Sequence, residues 1–197
     1  MSLRTVIATR YVTPLREGGS LPAIAEADDD GMYVVKFRGA AQGPRALVAE
    51  LVAGEIGRAL GLPVPEIVLV EIDAEFGRAE PHQEIQEMLG RSTGLNLGLD
   101  YLPGSLTFDP VAKSPPDADL AARIVWFDAL VTNVDRTARN TNLLRWHRDL
   151  WLIDHGAAMY FHHTWNDVAT QARTPFARIQ DHVLLPFAGS ISVADAA

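Results

Sequence analysis

Proline and glycine punctuation confines this chain more than anything else in it. Gly43-Pro44 opens a helical pattern, and Gly61-Leu62-Pro63-Val64-Pro65 closes it. Proline suits the first turn of a helix, where its missing N–H has no partner to lose, and glycine suits the residue after the last turn. A helix from Pro44 to Leu60 is therefore expected. The following Leu62 to Pro65 must be extended, because a residue before proline is pushed out of helical geometry. β-Rich runs flank this unit: Met32-Tyr33-Val34-Val35-Lys36-Phe37 ahead of it and Glu66 to Asp73 behind it. A strand, a helix and a strand in that order call for a mixed α+β domain.

The rest of the chain divides in two. Arg4 to Leu15 alternates β-branched, aromatic and polar residues and meets Arg16-Glu17-Gly18-Gly19-Ser20, which reads as a strand entering a glycine turn. Asp28-Asp29-Asp30-Gly31 is a second turn, and Gln83 to Leu89 a short helix. Gly90 to Pro116 is rich in Gly, Pro, Ser and Asn and reads as the boundary between two halves. Asp117 or a neighbour then caps a helix in which Leu120, Ile124, Phe127 and Val131 recur at helical spacing, ending near Thr132. After the polar Asn133 to Thr141 come two apolar runs, Leu143 to Trp146 and Leu150 to Ile153, about a His147-Arg148-Asp149 turn. They predict a hairpin with a loop at its mouth.

Composition excludes several functions. Seventeen Lys and Arg against 25 Asp and Glu give a net charge of −8 without a basic run, so a nucleic-acid surface is not expected. With no cysteine there is no disulfide, thiolate metal site or cysteine nucleophile, and the cytoplasm is the default compartment. No apolar stretch approaches the roughly 18 residues of a membrane span, and the 48% of hydrophobic residues can furnish a core.

The chemistry concentrates at the hairpin mouth. Asp135 and Asn140 lie in the polar loop, and Asp154 ends a strand before His155-Gly156. If the hairpin turns near Arg148, position 142 faces 154 and position 140 faces 156, with strands about 5 Å apart. Two amides then converge on the Asp154 carboxylate. With Asp135 added, the set offers hard oxygen ligands suited to Mg²⁺ held together with substrate phosphates. The plainer reading is that Asp135 and Asn140 satisfy turn backbone and Asp154 makes an Asx turn with Gly156. Lys36 poses a related question. It shares a strand face with Val34, opposite Tyr33, Val35 and Phe37, and if both faces are covered it needs an anionic partner. Glu50 is the best candidate, on a helical stripe with the small residues Ala46, Ala53 and Gly57; otherwise both charges are solvated.

Lys36, Glu50, Asp135, Asn140 and Asp154, in this order, resemble the HipA-like kinases, distant relatives of the protein kinases and phosphatidylinositol kinases. In protein kinases a strand lysine pairs with a helix glutamate, a catalytic Asp precedes a metal-binding Asn by five residues, and a later Asp-Phe-Gly aspartate holds Mg²⁺. Here the matching segments are Tyr-Val-Val-Lys-Phe, Leu-Val-Ala-Glu-Leu, Asn-Val-Asp-Arg-Thr-Ala-Arg-Asn and Ile-Asp-His-Gly, and Gly-Leu-Pro-Val-Pro-Glu after the helix is also similar. The resemblance covers nearly the whole chain. Thr137 stands where many of these kinases carry a His, His155 replaces the Phe of Asp-Phe-Gly, and no clear activation segment follows.

The resemblance implies an α+β, two-lobed protein-kinase-like fold. A small β-rich N-lobe would occupy residues 1–104 and a short, mainly helical C-lobe residues 105–197, with ATP bound between them. It implies that Lys36, held by Glu50, meets the α- and β-phosphates, that Gly18, Gly19, Ser20 and Val34 also line the nucleotide, that Asn140 and Asp154 ligate Mg²⁺, and that Asp135 serves the acceptor hydroxyl. The partners are then ATP and an acceptor that is a protein, a lipid head group or a small molecule. Two rivals stay open: a nucleotide-binding module without transfer, and a metal-dependent phosphohydrolase using Asp135, Asp154 and His155. A metal site among His162, His163, His182, Asp167 and Asp181 is disfavoured, because no ligand spacing recurs. The four tryptophans read as packing residues, and no Gly-x-Ser-x-Gly elbow supports a serine hydrolase.

Overall fold

The computed structural model describes residues 3–15, 21–78, 80–163, 165 and 167–190. The chain divides into two compact units, one of residues 1–51 and 65–103 and the other of residues 52–64 and 104–197.

The first unit is built on a five-stranded closed barrel of order β1-β2-β3-β5-β4. Its elements are β1 (Arg4–Pro14), β2 (Ala23–Ala27), β3 (Met32–Lys36), the start of α1 (Gly43–Ala59), β4 (Ile67–Ile72), α2 (Gln83–Gly90) and β5 (Gly94–Asp100). Neighbouring strands are antiparallel except where β1 closes the barrel, running parallel to β4 from Arg4 opposite Val68 to Ile7 opposite Glu71. The period-two pattern decides what lies inside. Val6, Ala8, Ala23, Ala25, Ala27, Tyr33, Val35, Val68, Val70 and Ile72 form one buried cluster, joined by Phe37 and by Met88 and Leu89 of α2.

Two strands of this barrel escape a reading by composition. The stretch taken for the start of a Gly- and Ser-rich boundary contains β5, which pairs with both β3 and β4. Its Gly98 is required by packing: a Cβ there would stand 2.6 Å from Val70 Cγ2 and 3.1 Å from Val68 Cγ2. The glycine leaves room for these two valines of the neighbouring strand β4 inside a narrow barrel. β2 was likewise not expected, since three of its five residues are alanine.

The second unit contains the end of α1, then β6 (Leu106–Thr107), α3 (Ala118–Leu130), β7 (Leu143–Trp146), β8 (Asp149–Leu152) and the one-turn α4 (Val168–Gln171), with three 3₁₀ turns among the later described residues. α3 begins where a capping aspartate was expected, Asp117 Oδ1 accepting the Leu120 N–H at 2.8 Å. Ala121, Ala122, Ile124, Val125 and Phe127 are buried along it. Gly61, at φ 72°, ends α1, and the chain doubles back so that the Leu62 N–H reaches the Gly57 carbonyl at 2.9 Å. The expectation of a mainly helical second half needs correcting, because α3 shares this unit with a three-stranded sheet, β6-β7-β8. Nor are all four tryptophans packed: Trp165 is 61% exposed.

The hairpin β7–β8 also forms in a register one residue from that expected. Leu143 faces Leu152 and Trp146 faces Asp149, so the loop is the two residues His147 and Arg148, at φ 49° and 77°. Positive φ at both central residues is the mirror-image turn that matches strand twist. Leu143 and Leu152 are buried, whereas a one-residue slip would turn one strand's inward residues to the opposite face.

Candidate active site

The residues singled out by sequence fall into two clusters, one in each unit. In the first, Lys36 Nζ lies 2.6 Å from Glu50 Oε2, and both side chains are buried. β3 creates this arrangement by alternation. Tyr33 and Val35 fill the barrel, so Lys36 and the half-buried Val34 point outward, beside Leu97 and Leu99 of β5. Buried Ala46, Ala49 and Ala53 share with Glu50 the covered side of α1. A buried ammonium needs a paired carboxylate, and the fully buried Glu50 supplies one. The Gly18-Gly19-Ser20 turn lies outside the described residues.

In the second cluster Asp135 is the point of convergence. Asn140 Nδ2 donates to Asp135 Oδ2 at 2.7 Å, and Asn142 Nδ2 reaches the same oxygen at 3.4 Å. Two amides do meet one carboxylate, but it is Asp135 and not Asp154, a consequence of the shifted hairpin register. Because a carboxylate only accepts, Asn140 must present its nitrogen to Asp135, which turns its oxygen elsewhere. Asp154 follows β8 with φ 55°, and Asn142 precedes β7 with φ 48°. Asn and Asp tolerate this left-handed region better than other side chains. The Ile153 N–H bonds the Asn142 carbonyl at 3.0 Å, holding the two chain ends together. Thr137 closes the intervening loop: its N–H donates to the carbonyls of Asp135 and Asn140, both at 3.0 Å.

Beneath this loop lies a buried polar network that sequence reasoning missed. Asp128 of α3 is fully buried. Its Oδ1 accepts Asn133 Nδ2 at 3.1 Å, and its Oδ2 accepts Arg136 Nε at 2.5 Å and His182 Nε2 at 2.8 Å. Asn133 Oδ1 in turn accepts the Asp135 N–H at 3.1 Å. Arg136 Nη1 donates to the carbonyls of Asn142 and Ile153. One guanidinium next to Asp135 therefore ties down the chain beside Asn140 and the chain before Asp154. Burial alone pushes Asp128 up, but the Arg136 charge and the hydrogen bonds from His182 and Arg136 outweigh it and hold the carboxyl at about 2. The signal that could have found this network was a lone carboxylate on an otherwise apolar helix face, which must be paired if buried.

The sequence matches the HipA-like kinase family over residues 8–185. The chain belongs to the HipA-like kinases. The fold is also similar to the crystal structure of a Helicobacter pylori proinflammatory kinase, CtkA, with a TM-score of 0.52 and 16% identity. That likeness covers 87% of this chain and 65% of the other, so the chain spans a little under two thirds of the length of that kinase. No curated protein is significantly similar to the chain. No helix among the described residues is long and apolar enough to cross a membrane, and no group of three or more His, Cys, Asp or Glu among them is arranged to hold a metal by itself.

A kinase of this family needs no such cage. Mg²⁺ keeps several waters and takes one or two protein carboxylates together with substrate phosphates. The Asp154 carboxylate and the amide oxygen of Asn140, which the Nδ2 bond to Asp135 leaves unused, are hard donors of that type, so the chemistry of the residues present fits the ion.

Proposed function

We propose that this protein is an ATP- and Mg²⁺-dependent phosphotransferase acting on a hydroxyl acceptor. Lys36, kept in place by Glu50, contacts the α- and β-phosphates, and Val34 lies beside it on the outward face of β3. Asn140 and Asp154 hold Mg²⁺, which supplies charge neutralisation on the phosphates when bound. Asp135 orients the acceptor hydroxyl and takes its proton. The Gly18-Gly19-Ser20 turn covers phosphates through its N–H groups. Residues 1–104 serve as the N-lobe and 105–197 as the C-lobe.

The observation that carries this reading is the hydrogen bonding of Asp135. Both amides that reach it take Oδ2, which fixes the carboxylate plane and leaves Oδ1 for the acceptor. Catalysis is then mainly positioning and electrostatic complementarity. The acceptor is a protein hydroxyl, a lipid head group or a small metabolite.

A second reading keeps the nucleotide and removes the transfer. Thr137 stands where many relatives carry a histidine, and its hydroxyl faces the Asn140 N–H at 3.4 Å, serving the loop's own backbone. Incubation with γ-labelled ATP, with Mg²⁺ and with a chelator, separates the possibilities. Mg²⁺-dependent label on protein or a small molecule supports the kinase. Free phosphate alone points to a hydrolase, and ATP binding without turnover to a sensor.

A further inference from the structure

The His182–Leu184 segment lies against the Asp135 loop, far from it in sequence. Thr137 and His182 form an isolated antiparallel bridge, and the Val183 N–H donates to the Arg136 carbonyl at 3.1 Å. The imidazole is buried and oriented from both sides. Leu184 N–H donates to Nδ1 at 3.0 Å, so Nδ1 carries no proton, and Nε2, 2.8 Å from Asp128 Oδ2, is the protonated nitrogen. A neutral ring with one assigned tautomer thus donates to a carboxylate whose same oxygen is also held by Arg136. Asp128 has a second tie, since Asn133 joins its Oδ1 to the Asp135 N–H.

We propose that His182 is a positioning residue for Asp135, acting through Asp128 and the Arg136–Asn133 loop, and so makes the later part of the chain a structural condition for phosphoryl transfer. The proposal rests on the kinase reading above for its effect on transfer, but not for its effect on the loop. Without the Nε2–H donor, Asp128 keeps Arg136 and Asn133 yet loses one of the two side-chain donors that orient its Oδ2. The loop bearing Asp135 then samples several positions. Misplacement of about 1 Å costs roughly a hundredfold in rate, while Lys36 and Glu50 are untouched.

The test compares His182→Ala and His182→Gln in the full chain. Glutamine returns an N–H donor at the reach of Nε2. In the alanine variant, amide hydrogen exchange at residues 134–142 should quicken by roughly tenfold or more with the barrel strands unchanged. Its kcat should fall by roughly a hundredfold, with the KM for ATP altered by less than about threefold. Glutamine should restore most of both. Wild-type exchange in the alanine variant, or a glutamine variant as impaired as alanine, would overturn the proposal. A wild-type protein that transfers no phosphate would defeat the kinase reading instead, and loop exchange alone would then decide this inference.

Discussion

Asn140 and Asp135 are joined side chain to side chain, Nδ2 to Oδ2 at 2.7 Å. The amide that a cation would share is thus mechanically linked to the carboxylate that an acceptor would meet. The two proposed duties, holding metal and handling the acceptor, are nevertheless separable by mutation.

Asp154→Ala should abolish the Mg²⁺-dependent part of the rise in melting temperature given by ATP, since a ligand stabilises only in proportion to its affinity for the native state. Asp135→Ala should retain that rise and lose phosphoryl transfer by about 10²–10⁴-fold. Melting curves with ATP, with and without Mg²⁺, and a transfer assay on the same preparations check both. Equal loss of binding in the two variants would mean that the roles are wrongly divided.

Lys36 and Glu50 should be energetically coupled, given their 2.6 Å contact and burial. Lys36→Met is expected to weaken ATP binding directly and Glu50→Gln indirectly. The double variant should lose less than the sum of the two, with an interaction of about 0.5–3 kcal/mol. ATP affinities of the four proteins in that cycle provide the measurement. Strict additivity would deny that the pair acts as a unit.

Acid should test the buried network. The folded-state pKa of Asp128 is depressed to about 2, below the roughly 4 of an unfolded aspartate. Its contribution is therefore fully present above pH 4 or so and is lost as pH falls towards 2, because the unfolded chain takes up the proton first. That contribution is on the order of 2 kcal/mol. Asp128→Asn should lower stability at pH 7 and show a smaller loss between about pH 4 and 2 than wild type. Urea titrations across that range would reveal parallel slopes if Asp128 is not the group responsible.

The β7–β8 turn offers a gain. Arg148 adopts φ 77°, where a side chain costs about 1–2 kcal/mol that glycine does not incur. Part of the benefit is offset by the greater freedom of glycine in the unfolded chain. Arg148→Gly should thus stabilise the protein by about 0.5–1 kcal/mol, readable as a shift in denaturation midpoint. A loss of stability would argue against a two-residue turn at 147–148.

Much of this architecture was legible because it is local. Proline and glycine bounded α1, Asp117 announced α3, and the alternation of Tyr33, Val34, Val35 and Lys36 separated barrel interior from lysine face. What escaped was set by partners distant in sequence. β5 looked like a linker because its glycines and asparagine are loop residues by habit, whereas Gly98 answers to Val68 and Val70 on the neighbouring strand β4. The hairpin register depended on whether two or three residues turn, which apolar runs alone do not decide. His182 was weighed as a metal ligand, yet its partner is Asp128, 54 residues earlier. Local periodicity carries no record of such a pairing.

Arg136 grips its neighbours by their main chain, through the carbonyls of Asn142 and Ile153. Every amino acid carries the same carbonyl. Position 153 can therefore drift among side chains that suit its half-buried setting while the anchoring of the chain ahead of Asp154 persists. The side-chain requirement of this contact rests on Arg136 and on the buried Asp128 carboxylate that pairs with it, not on residue 153.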